Sequence, residues 1–273
     1  MHVTKMFSYC RNTDIKTIVI WVLSCTSVFA ADTGTRIVTP STTNATAAGL
    51  SYSGSRESSP ITRQEVLQIA DAYARQEWQA TVSNVFHGTD TSGVHIDTPD
   101  VKWWGRGGWY FDGRTNVGVA YCWGGDSTLA EFEQGILAGR PAGYDFKVSD
   151  PKHFVPPSES SLPVGVDCSG FVSRCWRLKE KRSTRNLVEE CRQLPSFDDL
   201  RPGDAINKRG FHVALFKEWL DTEHDKMRVF EAGDGQKNDP LEYYEKVHEN
   251  DYKRTWLSTN GFVPLRYRGI VEP

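Results

Sequence analysis

Residue types in the second half of the chain are suited to nucleophilic catalysis by a thiol. Cys168 is followed by two small residues and an apolar pair, residues 168–172 (CSGFV), which is typical of the start of a buried helix. At such a position the helix dipole and the unpaired backbone N–H groups stabilise a thiolate. Cys168 is therefore a candidate nucleophile, provided that a base and a group that orients the base lie nearby.

A base and its orienting group are found in two short β-prone segments further along the chain. His212 begins residues 212–216, and Glu231 lies within residues 228–232. We predict that these segments form neighbouring antiparallel strands, in which opposed Cβ atoms are about 5 Å apart. Glu231 would then accept a hydrogen bond from His212 and fix the tautomer that faces Cys168.

Each of these residues also has a purely structural interpretation. Cys168 could be an inert buried thiol, and His212 an ordinary core or surface histidine. Glu231 could be a solvated carboxylate paired with Arg228 or a lysine. The remaining histidines outside the N-terminal segment lack comparable neighbours, and we interpret them as surface residues: His87, His95, His153, His224 and His248.

Helices are predicted upstream of these strands. Thr62 and Glu65 have the spacing of a capping box, and apolar residues then follow at helical spacing, which predicts a helix over residues 62–78. A second helix is predicted over residues 129–138 and a third from near Cys168. Residues 140–165 contain several prolines and are predicted to form a long loop.

The last third of the sequence has the two-residue period of β-strands. Besides the His212 and Glu231 segments, residues 262–267 form a candidate closing strand, and Pro264 predicts that it lies at a sheet edge. Helices that precede strands without alternating with them indicate an α+β domain rather than a doubly wound one.

Four segments in the same order resemble the motifs of the NlpC/P60 cysteine peptidases. Residues 167–171 (DCSGF) are similar to the nucleophile motif of that family. Residues 200–204 (LRPGD), followed by 212–216 (HVALF), resemble its Pro-Gly-Asp turn and histidine strand. Residues 121–125 (YCWGG) resemble the segment before the nucleophile, and residues 229–232 (VFEA) resemble the strand that carries the third polar residue.

This resemblance implies a fold and a set of catalytic roles. The fold would have a papain-like core, with the nucleophile at a helix N-terminus packed on an antiparallel sheet. Cys168 would be the nucleophile, His212 the general base and Glu231 the group that orients His212. The family often has a histidine at the third position, so Glu231 is a departure, although a carboxylate also orients an imidazole and stabilises its charged form.

Three further residues are implied to contact the substrate. Tyr121 would stand beside the thiol and hold the substrate or the oxyanion. Asp167 would shape the site and meet a free amine on the substrate, and the small Ser169 would let the substrate approach. A long insertion, residues 126–165, separates the first motif from the nucleophile and is expected to border the cleft.

The resemblance implies hydrolysis of an amide bond in peptidoglycan stem peptides, often at a D-glutamyl link, through a thioester and without a cofactor or metal. Two alternatives share these residues. One is acyl or amide transfer, in which an amine displaces water from the thioester. The other is a catalytically silent module that binds the cell wall, which the intact Cys168, His212 and Glu231 set argues against.

The N-terminal segment predicts export. Residues 17–30 are uncharged and too few to span a bilayer as a helix, which takes about 20. Basic residues precede them and small residues follow, which is the layout of a signal peptide over residues 1–31. A retained membrane anchor and a lipid anchor on Cys25 are the alternatives. Residues 32–60 are rich in Ser, Thr, Ala and Gly and predict a flexible linker, which leaves residues 61–273 as the catalytic domain.

The overall charge argues against a nucleic-acid partner. The chain has 273 residues and a formal net charge of -3, without the basic excess usual for proteins that bind nucleic acids. We expect no stable membrane insertion, and the sequence does not indicate an oligomeric state. The Trp-rich run at 103–110 is interpreted as core packing in preference to a glycan platform, and Asp234 as part of a turn.

Export also bears on the cysteines. Four cysteines follow the signal segment, and an oxidising compartment favours their pairing. We predict a disulfide between Cys175 and Cys191, with the pairing of Cys122 to one of them as the alternative. Cys122 is interpreted as structural or as a second thiol at the site. No CxxC pair or zinc-ligand spacing is present in the sequence.

Overall fold

The computed structural model describes residues 60–100, 108–110, 112–145, 158–233 and 245–272. The predicted signal segment, nearly all of the linker, Trp103, Trp104 and Asp234 lie outside the described residues, so those predictions stay untested. Much of the predicted loop at 140–165 lies outside them as well.

The described part of the chain contains four α-helices and twelve strands. In chain order they are β1 (Ile61–Thr62), α1 (Arg63–Arg75), β2 (Glu77–Trp78), β3 (His87–Thr89), β4 (His95–Asp97), β5 (Asn116–Val117), α2 (Leu129–Leu137), α3 (Cys168–Cys175), β6 (Cys191–Gln193), β7 (Ala205–Lys208), β8 (His212–Trp219), β9 (Lys226–Gly233), β10 (Lys246–Lys253), α4 (Arg254–Thr259), β11 (Val263–Tyr267) and β12 (Ile270–Val271).

Helix α1 begins at the predicted capping box. Thr62 Oγ1 accepts a hydrogen bond from the Glu65 backbone N–H at 3.2 Å, and the Thr62 N–H donates to the Glu65 carboxylate at 2.9 Å. The helix ends before the predicted limit at residue 78, because β2 turns away to pair with β5. The predicted apolar face is buried: Val66, Ile69, Ala70 and Tyr73.

A six-stranded antiparallel sheet forms the centre of the domain, in the order β10-β9-β8-β7-β11-β6. The predicted pairing of the His212 and Glu231 strands is confirmed, since β8 lies directly beside β9. Helices α1 and α3 pack on one face of this sheet, and α4 covers part of the other. The mixed helix and sheet content agrees with the predicted α+β class.

Alternation along the strands divides the core into two layers. Val213, Leu215 and Phe230 face α1 and α3 in the larger core. The intervening residues Ala214 and Val229 face α4 in a second core. His212 and Glu231 belong by alternation to this second face, at the end of the sheet.

The predicted edge position of the last strand is wrong. β11 lies between β7 and β6, so Pro264 is in an interior strand. The ladder with β6 reaches only Leu265, and beyond it the Leu194 N–H donates to the Pro264 carbonyl at 2.9 Å. Pro264 is tolerated because it lies just past the end of the β6 ladder, where no strand hydrogen bond needs its missing N–H.

No helix in the described ranges is long and apolar enough to cross a membrane.

Candidate active site

Helix α3 begins at Cys168, as the motif predicts. Asp167 is the N-cap, and its Oδ1 accepts a hydrogen bond from the Gly170 backbone N–H at 2.6 Å. Cys168 is the first helical residue and is 9% exposed. The thiol therefore lies at the positive end of the helix dipole and still has access to solvent.

The small residue at position 170 serves packing rather than substrate access. A Cβ on Gly170 would lie 2.0 Å from the Gly125 carbonyl oxygen, far inside van der Waals contact. The same carbonyl accepts a hydrogen bond from the Asp167 N–H at 3.0 Å. Gly170 thus lets the segment that follows Tyr121 lie directly against the start of α3.

His212 and Glu231 meet across neighbouring strands. In the β8–β9 register Leu215 is paired with Phe230. Continued along both strands, this register places His212 opposite Gly233, so that His212 and Glu231 are diagonal neighbours. His212 Nε2 lies 2.6 Å from Glu231 Oε2. This is the hydrogen bond expected from the sequence, and it forms because both side chains project from the same face of the sheet.

The other side of the His212 ring faces the thiol. Cys168 lies close enough to His212 to raise the pKa of the imidazole. Because Nε2 is engaged by Glu231, Nδ1 is the ring nitrogen left to exchange a proton with the thiol. Burial lowers the pKa of His212, but the hydrogen bonds and charges of Cys168 and Glu231 outweigh it and raise the pKa to about 10. The raised pKa favours the protonated imidazolium form of His212.

Glu231 is buried and charged. Its side chain is 3% exposed. Burial alone would raise the pKa of this carboxyl, but the hydrogen bond from His212, the charges of His212 and His248 and a hydrogen bond from Asn250 lower it to about 2. The solvated alternative does not hold, since Arg228 pairs with Asp251 at 2.9 Å instead.

Strand β10 supplies further partners of Glu231 that the sequence interpretation missed. Asn250 Nδ2 donates to Glu231 Oε1 at 2.6 Å, and the Tyr252 hydroxyl lies 3.2 and 3.0 Å from the two carboxylate oxygens. His248, interpreted as a surface residue, is buried, with Nε2 3.6 Å from Oε1. The signal is the alternation of His248, Asn250 and Tyr252, which places all three on one strand face.

Tyr121 lies close to the thiol. Burial raises the pKa of its phenol well above the usual range, and the charges of Cys168 and Asp167 raise it further. A neutral hydroxyl at this place is a hydrogen-bond donor. The Tyr121 backbone forms a β-bridge with Val166, which lies just before α3. This bridge holds the 121–125 segment at the site.

Asp167 and Ser169 lie at the site but are engaged within the protein. Asp167 Oδ2 lies 2.7 Å from Lys181 Nζ and accepts from the Gly124 N–H at 3.2 Å. The Ser169 hydroxyl donates to Asp167 Oδ1 at 2.9 Å, and Ser169 is buried. The amine that contacts Asp167 is that of Lys181. Asp167 and Ser169 therefore stabilise the start of α3.

The predicted disulfide is not formed. All four described cysteines are free thiols. Burial raises the pKa of Cys175 well above its usual range, and that of Cys191 to about 12. Both thiols lie in the larger core, Cys175 at the end of α3 and Cys191 at the start of β6.

Cys122 is a packing residue. It lies in a small apolar cluster with Val94, Ile96 and Tyr144. Burial raises the pKa of its thiol far above the usual range. Such a thiol is a poor nucleophile, which favours the structural interpretation of Cys122.

The histidines of the β3–β4 hairpin are paired with carboxylates. His87 Nδ1 lies 3.0 Å from Asp97, and its Nε2 lies 3.1 Å from Asp100. Within the described ranges, no group of three or more His, Cys, Asp or Glu side chains is arranged to hold a metal ion.

No family model, curated protein or solved structure matches this chain.

Proposed function

We propose that this chain is an exported cysteine hydrolase that cleaves an amide bond in peptidoglycan stem peptides. One observation carries the proposal: the His212 ring is held between the Cys168 thiol and the Glu231 carboxylate, which is bonded to Nε2 at 2.6 Å. This arrangement suits the activation of a thiol for attack on a carbonyl. The choice of substrate rests on the resemblance of the four motifs to those of the NlpC/P60 peptidases.

The first half of the reaction forms a thioester. The Cys168 proton passes to His212 Nδ1, and the thiolate attacks the carbonyl carbon of the amide. The backbone N–H groups at the start of α3 and the Tyr121 hydroxyl stabilise the negative oxygen of the tetrahedral intermediate. The imidazolium then gives its proton to the amide nitrogen, the carbon–nitrogen bond breaks, and the amine leaves.

The second half releases the acid. His212 takes a proton from water, and the resulting hydroxide attacks the thioester carbon. The carbon–sulfur bond breaks and the thiolate returns to its pairing with the imidazolium. Glu231 stays ionised throughout and stabilises the positive charge on His212.

The papain-like core belongs to this proposal. A nucleophile helix packed on an antiparallel sheet, with the base on one strand and its orienting group on the next, supports it.

Mass spectrometry of muropeptides tests the substrate class. We expect the mature domain to convert intact stem peptides into two fragments whose masses sum to the parent plus one water. Cys168→Ala, shown by circular dichroism to be folded, should leave the profile unchanged. An unchanged profile with the wild-type domain would refute the proposed substrate. An acyl fragment heavier than the hydrolysis product by one amine minus one water would indicate transfer.

A further inference from the structure

The two oxygens of the Glu231 carboxylate have different partners. Oε2 accepts the His212 hydrogen bond at 2.6 Å, whereas Oε1 accepts from Asn250 at 2.6 Å. The terminal torsion of a glutamate side chain is broad and roughly two-fold. A carboxylate held by one partner alone could therefore rotate away from the histidine.

We propose that Asn250 and Tyr252 are positioning residues that fix this carboxylate so that Oε2 points at His212. The inference rests on the proposed function, because it concerns the same thiol and histidine. Asn250 anchors Oε1, and the Tyr252 hydroxyl bridges both oxygens at 3.2 and 3.0 Å. Both donors are neutral, so they favour the charged carboxylate without competing for the proton on His212.

Each donor is itself fixed in orientation. Asn250 Oδ1 accepts from the Asp251 backbone N–H at 2.9 Å, which directs Nδ2 toward Glu231. The Tyr252 ring stacks on Trp256 of α4, with centroids 5.5 Å apart and planes 17° apart. The site is therefore supported from a strand and a helix that carry none of its three reacting or orienting groups.

His248 does not take part in this positioning. Its Nδ1 lies 3.0 Å from the Lys246 carbonyl, so Nδ1 carries the proton. Its Nε2 lies 3.6 Å from Oε1, too far for a hydrogen bond that would fix the orientation of the carboxylate.

Two measurements that use no peptide substrate test the proposal. The first is the low-field proton NMR resonance of His212 Nε2–H in its short bond to Glu231. The second is the rate at which iodoacetamide alkylates Cys168 near pH 7. We expect Asn250→Ala and Tyr252→Phe to move the resonance upfield and to slow alkylation about tenfold, on the scale of one charge-assisted hydrogen bond.

Tyr73→Phe is the matched control. It also removes a buried tyrosine hydroxyl, but one that donates to the Ser127 carbonyl at 2.8 Å and not to Glu231. We expect it to change neither readout. In a Glu231→Gln background Tyr252→Phe should have no further effect on alkylation, because its action passes through the carboxylate.

Wild-type resonance and alkylation rates in folded Asn250→Ala and Tyr252→Phe would overturn the proposal. A further tenfold loss from Tyr252→Phe in the Glu231→Gln background would overturn it as well, since Tyr252 would then act elsewhere. Failure of the hydrolase proposal would look different. The wild-type domain would then leave muropeptides intact, while the His212 resonance and the Cys168 alkylation rate would still respond to the variants.

Discussion

At the scale of single residues, the site depends on a carboxylate that is buried and yet charged. Glu231 is stable in that state because His212, Asn250 and Tyr252 all contact it. Removing its charge leaves His212 without the group that fixes its tautomer. In the proposed reaction Glu231 therefore acts through His212 rather than by contact with the thiol.

Replacement of Glu231 tests this role. By analogy with a triad aspartate, Glu231→Ala should lower turnover by about 10² to 10⁴. Glu231→Gln keeps an acceptor but not the charge, so its turnover should lie between Ala and wild type. Steady-state hydrolysis of a stem peptide measures both. Turnover of Glu231→Ala within about threefold of wild type would remove Glu231 from the site.

Residue types and order were sufficient to predict the Cys168, His212 and Glu231 set. The sequence did not reveal the residues that hold Glu231 in place. Asn250 and Tyr252 lie beyond a segment outside the described residues, and only the pairing of β10 with β9 brings them to Glu231. The cysteine prediction failed for a related reason, because the distance between two thiols depends on the packing of α3 and β6 rather than on their separation in sequence.

At the scale of elements, the turn before β7 is held by a buried ion pair. Asp204 is fully buried and contacts Arg266 at 2.7 Å and Arg63 at 3.0 Å. It therefore joins the Pro-Gly-Asp turn to β11 and to α1. The sequence identified this segment as a turn, but its partners lie far away along the chain and were not foreseen.

Asp204→Ala should be strongly destabilising. It leaves Arg266, whose side chain is 9% exposed, with a buried charge and no carboxylate, which typically costs about 3–5 kcal/mol. Asp71→Ala breaks the exposed pair with Arg75 in α1 and should cost under about 1 kcal/mol. Urea denaturation of both variants measures the difference, and equal losses of unfolding free energy would contradict this account of the turn.

At the scale of the whole molecule, the same site links stability to pH. His212 has a raised pKa, so its contribution is complete below the unfolded value of 6.5 and is lost as pH rises through about 10. Glu231 has a lowered pKa, so its contribution is present above 4.5 and is lost as pH falls through about 2. The site therefore stabilises the fold most between pH 4.5 and 6.5.

Chemical denaturation across pH tests this linkage. The difference in unfolding free energy between wild type and Glu231→Gln should be largest on the plateau and shrink below pH 4.5, with a slope of at most about 1.4 kcal/mol per pH unit for one proton. It should also shrink above pH 6.5, where the folded state keeps a proton on His212 that the unfolded state has lost. A difference that stays constant from pH 3 to pH 9 would show that the two groups are not coupled to folding.

The α+β class and the strand pair of the site could be predicted because alternation and capping are local signals. The place of β11 inside the sheet could not be predicted. Pro264 is tolerated there only because β6 stops short of it, and the end of β6 cannot be read from the sequence around Pro264. Long-range order of this kind is set by tertiary packing and leaves little trace in a single sequence.

The most direct test of the central claim is the turnover of Cys168→Ala on a stem peptide that the wild-type domain cleaves. Cys122→Ala is the control, because it removes a buried thiol that packs in a separate apolar cluster with Val94, Ile96 and Tyr144. We predict that Cys168→Ala loses several orders of magnitude in turnover, as other enzymes do when they lose a nucleophile, while Cys122→Ala stays near wild type. Near wild-type turnover by a folded Cys168→Ala variant would contradict catalysis through a Cys168 thioester.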